Sequence, residues 1–308
     1  MESLLAQMGL PIMCGIAWGI IKPGGLDADL TRRVLTTVVF NLLLPALVLS
    51  VLWRSDIGMD ALKISLFGIC IILLGMALMW LAARLWPMDR RLLGAAILAS
   101  AFPNVTYLGL PVLEHAFGPW VRSLVIQIDL FAGMPMALVF SSVIGQCYGG
   151  LNEPDRDSFQ RSLLANPPLW AAMAALLLNL IGAPLPHWLG AMLDKLAAAV
   201  IPLMLIALGM GLKWHCLRWR YLPLAALVLA FRLAAIPLLG VALAQALGFS
   251  GDKLTALVME AGMPSMMLGV VFCDRYRLDT AFYSMTVVIG TVAGMFSVAW
   301  WRELLASV

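Results

Sequence analysis

Ten apolar stretches follow one another along this chain, separated mostly by short polar breaks. They run approximately over 5–21, 34–52, 61–85, 92–113, 120–146, 163–181, 189–212, 221–247, 254–273 and 281–301. A helix that crosses a bilayer needs about 20 mainly apolar residues. In hydrocarbon every backbone N–H and C=O must be answered within the protein, which a helix does inside one segment. The sequence therefore predicts an all-α polytopic membrane protein with ten transmembrane helices. Composition leaves no soluble alternative: 12% of residues are charged and 62% are hydrophobic, whereas soluble domains carry about 25% charged residues.

Two of the ten spans contain helix-breaking chemistry. In Ala101–Gly118, AFPNVTYLGLPVLEHAFG, Pro103 and Pro111 each remove a backbone donor, with Gly109 two residues before the second. A break is predicted there, with Asn104, Thr106 and Tyr107 as the polar groups beside it. The second half holds a counterpart. A shift of 160 positions lays Leu108-Gly109-Leu110 on Leu268-Gly269-Val270 and Asn104 on Pro264. Paired interruptions in matching positions of two halves point to a secondary transporter's binding site. The start of a helical half carries roughly half an elementary positive charge, so two such starts near the midplane predict a site for an anionic group. Asn104, Thr106, Tyr107 and Ser265 supply hydrogen bonds, Gly109, Pro111 and Pro264 shape the breaks, and Met263, Met266 and Met267 flank the second one.

The hydrophilic run 148–161, with Asn152-Glu153-Pro154-Asp155-Arg156-Asp157, is the seam between a five-helix repeat at 1–147 and another at 162–308. Of the twenty Lys and Arg residues, thirteen fall on one set of alternate loops, among them Arg32, Arg33, Arg90, Arg91, Arg275 and Arg277. Six (Arg54, Lys63, Arg122, Lys195, Lys253 and Arg302) fall on the other, and Arg232 lies inside a span. The basic side is expected to be cytoplasmic, which makes 148–161 a cytoplasmic linker and places both termini outside a cell (inner) membrane. An odd number of spans per half makes the repeat an inverted one. The N-terminus opens with Glu2 and lacks a basic leader, so it reads as a retained first helix.

Ionisable groups inside spans are rare and are functional candidates. Asp129, Glu260 and Arg232 are the three here. A carboxyl in a poorly solvated place can carry a proton; alternatively, Glu260 with Asn104 and Asp129 can surround a sodium ion. Arg232 is expected to pair with a carboxylate for structural reasons. Asn41 with Pro45 reads as a kink with a local hydrogen-bonded cap.

At Pro103-Asn104-Val105-Thr106-Tyr107-Leu108-Gly109-Leu110-Pro111 the chain resembles the auxin efflux carrier family, and Met263-Pro264 with Val271-Phe272-Cys273-Asp274-Arg275-Tyr276 resembles that family's ninth helix and its exit. The resemblance implies two inverted five-helix repeats with broken, crossing helices 4 and 9. It also implies transport of small carboxylates such as malate, malonate or auxin-like acids. Glu260-Ala261-Gly262-Met263 is also similar to the ninth helix of bile acid/sodium symporters, in which that Glu binds sodium; the Gln that follows there is Pro264 here. Proton- or potential-driven transport and sodium-coupled symport both stay open, with H+ or Na+ as coupling ion and no cofactor. The implied partners are the bilayer, a small organic anion and, as an option, a second copy of the chain.

Other classes are excluded on chemistry. The net charge of +3 is too small to imply a nucleic-acid partner. Cys14, Cys70, Cys147, Cys216 and Cys273 lie far apart without metal-binding or CxxC spacing. His115, His187 and His215 are not grouped. No nucleophile with a paired base, HExxH motif or pair of catalytic aspartates is present, so the chain is not read as an enzyme.

Overall fold

The computed structural model describes residues 2–55, 58–86, 88–149, 166–212 and 218–306. The expected linker 148–161 and the start of the sixth apolar stretch lie mostly outside them. The described chain is almost entirely helical and contains no strand. We number the helices α1 (Glu2–Ile21), α2 (Ala28–Arg54), α3 (Met59–Leu85), α4 (Arg90–Ala101), α5 (Leu110–Phe117), α6 (Val121–Tyr148), α7 (Pro167–Leu180), α8 (His187–Gly211), α9 (Trp219–Ala246), α10 (Gly251–Ala261), α11 (Gly269–Arg275) and α12 (Thr280–Ala306). Six of them, α2, α3, α6, α8, α9 and α12, are long and apolar enough to cross a membrane. The fourth and ninth stretches are each cut in two, and over the residues whose side chains are described the first and sixth give shorter apolar helices, Gly9–Ile21 and Pro167–Leu180.

Among the described residues, four helical segments widen into π-turns, and each ends two residues before a proline. They are Val39–Leu43 before Pro45, Val105–Gly109 before Pro111, Asp129–Gly133 before Pro135, and Phe231–Ala235 before Pro237. Proline lacks an N–H and its ring crowds the carbonyl four residues earlier. Widening the turn relieves that crowding, and side chains answer the freed groups. Pro237 frees the carbonyl of Leu233, which accepts from Ser297 Oγ at 3.0 Å and Trp301 Nε1 at 2.8 Å on α12. Asn41 Nδ2 donates to the Thr37 carbonyl at 2.8 Å, as the kink reading of Asn41 and Pro45 anticipates. The Gly109–Pro111 pair behaves differently from expectation. Gly109 is helical, at φ −60° and ψ −52°, and Pro111 sits in the first turn of α5, so the chain widens there without breaking.

The helices form two compact units that interleave along the chain: Met1–Ala61, Thr106–Leu130 and Arg161–Leu212 in the first, and Leu62–Val105, Phe131–Gln160 and Lys213–Val308 in the second. In the first, α1 packs on the later part of α8, and α2 packs on α7 and α8. The approach of α1 to α8 is close enough that a Cβ on Gly15 would meet the carbonyl oxygen of Ile206 at 2.1 Å, the small-residue packing that membrane helices use. In the second, α4 is wrapped on all sides. Every residue from Gly94 to Ala101 is buried, among Ile72, Met79, Val228, Phe272, Phe282 and Tyr283. Exposed apolar side chains such as Leu10, Met13, Leu66, Leu177, Leu238 and Phe296 cover the outside, as a lipid-facing surface requires.

Candidate functional site

The two interruptions meet inside the second unit. Helix α4 ends at Ala101 because Pro103 disfavours helical geometry in the residue before it, and Phe102 is extended at φ −101° and ψ 112°. Helix α10 ends at Ala261, followed by Gly262, Met263 and Pro264. The exposed backbone of one break then answers the other. Asn104 N–H donates to the Pro264 carbonyl at 2.7 Å, Met266 N–H donates to the Phe102 carbonyl at 3.0 Å, and Pro103 and Ser265 form an antiparallel bridge. Two backbone donors expected to greet a guest are thereby used by the crossing itself. The donor left over is a side chain. Asn104 is 2% exposed, and its Nδ2 has no hydrogen-bond partner among the described residues.

The surroundings of the crossing are braced rather than open. Ser265 Oγ donates to the Ala99 carbonyl at 2.6 Å, which leaves it only lone pairs for a ligand. Met263 is fully buried, and Pro264 packs against α12, where a Cβ on Gly294 would stand 2.9 Å from its Cδ. Tyr283 Oη donates to the Met266 carbonyl at 2.9 Å. Gly269 makes room for that hydroxyl, which a Cβ there would meet at 1.9 Å. Glu260, 1% exposed, is the penultimate residue of α10, within electrostatic reach of Arg232. The hydrogen bonds of Arg232 go to backbone carbonyls of both interrupted helices rather than to the carboxylate that sequence reasoning expected.

The remaining candidates lie in the first unit. Thr106 Oγ1 donates to Asp129 Oδ2 in a short hydrogen bond, which joins two π-turns, Val105–Gly109 and Asp129–Gly133. Tyr107 feels the charges of Asp129 and of Arg32, a residue that sequence reasoning had counted only for orientation. Gln127 Nε2 donates to Ser123 Oγ at 2.9 Å, one turn away on its own helix. A pocket of about 270 Å³ also opens in this unit, lined by Ser50, Arg54, Ser55, Trp120, Arg122, Ser123 and Asp194 among others. Its cations are already engaged: Arg54 Nη1 lies 3.1 Å from Asp194 Oδ2, and Arg122 Nε donates to Glu114 Oε2 at 2.7 Å. Among the described residues no group of three or more His, Cys, Asp or Glu could hold a metal ion.

Asn104, Pro264, Thr106 and Asp129 are each singled out by the sequence, but the pairing of Thr106 with Asp129 is not, nor are Tyr283 and Ser100. Neither carries a signal of its own in the sequence. Tyr283 is an aromatic in an apolar run, and Ser100 is one small residue among alanines, although its hydroxyl donates to the Gly75 carbonyl at 2.9 Å.

The family model described as membrane transport protein matches residues 7–148 and 156–302. An uncharacterized transporter of Methanothermobacter thermautotrophicus is 29% identical over 93% of this chain and 93% of its own length. An uncharacterized transporter of Methanocaldococcus jannaschii is 24% identical over 91% of this chain and 92% of its own. A probable auxin efflux carrier component of Oryza sativa subsp. japonica is 24% identical over 64% of this chain and 66% of its own. A match across both halves, on a chain of repeated apolar helices, makes this protein a multi-pass membrane transporter that belongs to the auxin efflux carrier family of membrane transport proteins.

Proposed function

We propose that the chain is a secondary active transporter of small organic anions, carboxylates such as malate, malonate or auxin-like acids, working by alternating access. In this reading its ten spans form two inverted five-helix repeats, 1–147 and 162–308, in the cell (inner) membrane with both termini outside. The observation that carries the reading is the buried Asn104 amide, a donor without a hydrogen-bond partner among the described residues, held where the two interrupted helices pair backbone to backbone. A buried donor left unsatisfied costs about 1–3 kcal/mol, and a carboxylate oxygen placed against it recovers that cost. The neighbourhood suits a small guest held by few polar groups, since Phe102, Met263 and Pro264, which flank the backbone pairing in sequence, are apolar and buried. The Thr106–Asp129 pair is the coupling element in this reading. Asp129 accepts from Thr106 when ionised, and on taking a proton it loses the charge that makes the bond strong.

The test is uptake of labelled malate, malonate and indole-3-acetate into proteoliposomes holding the full chain, with and without a proton gradient and in sodium-free medium. Uptake of at least one acid is expected in the absence of sodium, and Asn104→Ala should lower its apparent affinity about tenfold or more, the loss of one hydrogen bond to a charged group. Uptake that Asn104→Ala leaves untouched removes the crossing as the substrate site. Uptake that requires sodium replaces proton or potential coupling with sodium symport.

A further inference from the structure

Arg232 stands on the π-turn Phe231–Ala235 of α9 with no exposed surface, and nothing in the transport reading above uses it. Its guanidinium reaches both interruptions. Nε donates to the Met263 carbonyl at 3.1 Å, and Nη2 donates to Ala261 at 2.8 Å and to Met263 at 3.0 Å. Nη1 turns the other way, to the carbonyls of Ser100 at 3.3 Å and Ala101 at 3.5 Å. The Ser100 and Ala101 carbonyls belong to the last turn of α4 and the Ala261 carbonyl to the last residue of α10, with Met263 two residues beyond it; such helix ends have acceptors but no donors of their own left to fill them.

Charge explains why one cation suits this place. A helix C-terminus carries roughly half an elementary negative charge, so two of them converging on one guanidinium offset much of its charge, and the Glu260 carboxyl within its electrostatic reach adds to the same field. Shape explains why the cation is an arginine. The planar fork points donors along several fixed directions at once, whereas a lysine offers one compact charge. Pro237, five residues on, supplies the reason that Arg232 lies on a widened turn rather than in a regular helix.

We propose that Arg232 is the positioning residue of the crossing: it registers the ends of α4 and α10 against each other, so that Pro103 meets Ser265 and Asn104 presents its amide at a fixed point. By neutralising two negative helix ends it also makes the ground beside Asn104 tolerable for an anion. Registration stands on the hydrogen bonds alone; the effect on anions rests on the reading of Asn104 as the substrate contact.

The experiment uses the full chain with its five native cysteines replaced by alanine and a Pro103→Cys/Ser265→Cys pair added. Bridged residues on antiparallel backbone lie about 4.5–5.5 Å apart at Cα, within disulfide range. Oxidative coupling is timed in detergent, and each variant is first checked for a cooperative thermal melt. Arg232→Lys, which keeps the charge and loses the fork, should slow coupling about fivefold or more while still melting cooperatively; Arg232→Met should slow it at least tenfold. If Arg232→Met does not melt cooperatively, the lysine variant carries the comparison. Coupling at the unmodified rate in a folded Arg232→Lys protein overturns the proposal. Uptake of whichever of malate, malonate and indole-3-acetate the unmodified protein accepts is measured in the same variants without the cysteine pair. Slowed coupling in a protein that takes up none of the three leaves positioning intact and removes the substrate reading. Normal uptake with unchanged coupling removes positioning and leaves the substrate reading intact.

Discussion

Thr106 differs from valine by one hydroxyl in place of a methyl, and that hydroxyl is the donor to Asp129. Thr106→Val therefore keeps the volume and removes the bond, whereas Thr106→Ser keeps the bond and removes a methyl. Hydrogen bonds to charged groups contribute about 1.5–3 kcal/mol, so valine should lower the melting temperature and abolish any dependence of uptake on a proton gradient. Serine should keep that dependence. Gradient-driven uptake that survives in Thr106→Val would remove the pair from coupling. At Gly75 the constraint is space rather than chemistry. A Cβ there would lie 2.4 Å from the backbone oxygen of Ser100, an atom that cannot swing aside as a side-chain tip can. That oxygen also accepts from Arg232. Gly75→Ala should cost about 1–3 kcal/mol, the range for an overpacked core, measured as reduced resistance to thermal unfolding in detergent. An unchanged melt would mean that α3 and α4 can separate without penalty.

At the scale of the helix, the prolines at the interruptions and those at the widened turns act in two distinct ways. Pro103 turns Phe102 out of helical geometry, and Pro264 follows Gly262 and Met263, which lie past the end of α10, whereas Pro45, Pro111, Pro135 and Pro237 widen a helix that continues. The widened turns carry Asn41, Thr106, Tyr107, Asp129 and Arg232, polar residues that a regular turn would aim elsewhere. In α9 the consequence is open to measurement. Ser297→Ala with Trp301→Phe strips the Leu233 carbonyl of both its donors and should cost about 1–3 kcal/mol as an unsatisfied buried acceptor. Adding Pro237→Ala returns a backbone N–H four residues on and should recover part of that loss; a triple variant no more stable than the double would refute the account. Much of this was legible in the sequence. Helix-breaking residues and buried polar groups are local signals, and they placed the interruptions at Pro103 and Pro264 and picked out Asn104 and Asp129. Pro111 misled because the same residue type serves breaking and widening. Partnerships across long sequence separation, such as Arg232 with Ser100 or Tyr283 with Met266, leave no local trace, because a backbone carbonyl has no residue identity to read.

For the molecule as a whole, each compact unit draws on both halves of the sequence: Met1–Ala61 with Arg161–Leu212 in one, Leu62–Val105 with Lys213–Val308 in the other. Two repeats that each give some helices to one bundle and some to the other would divide the chain in this way, so the partition suits the five-plus-five reading without resting on it. Inversion makes a sharper demand. With five spans per half, residues 160 apart should sit on opposite sides of the bilayer, as the skewed Lys and Arg distribution requires. The pair to test is Arg90, the first residue of α4, and Ser250, which caps α10, since the two match under that shift. Single cysteines at 90 and 250, in a chain otherwise free of cysteine, should react differently with a membrane-impermeant maleimide on intact cells. Position 250 should label at once, and position 90 only after the membrane is opened. Labelling of both from outside would give the two halves the same orientation, and the inverted repeat would fall while the local pairing of Asn104 with Pro264 stood. Labelling of 90 alone would keep the inversion and reverse the sidedness, placing the thirteen basic residues outside against the charge rule.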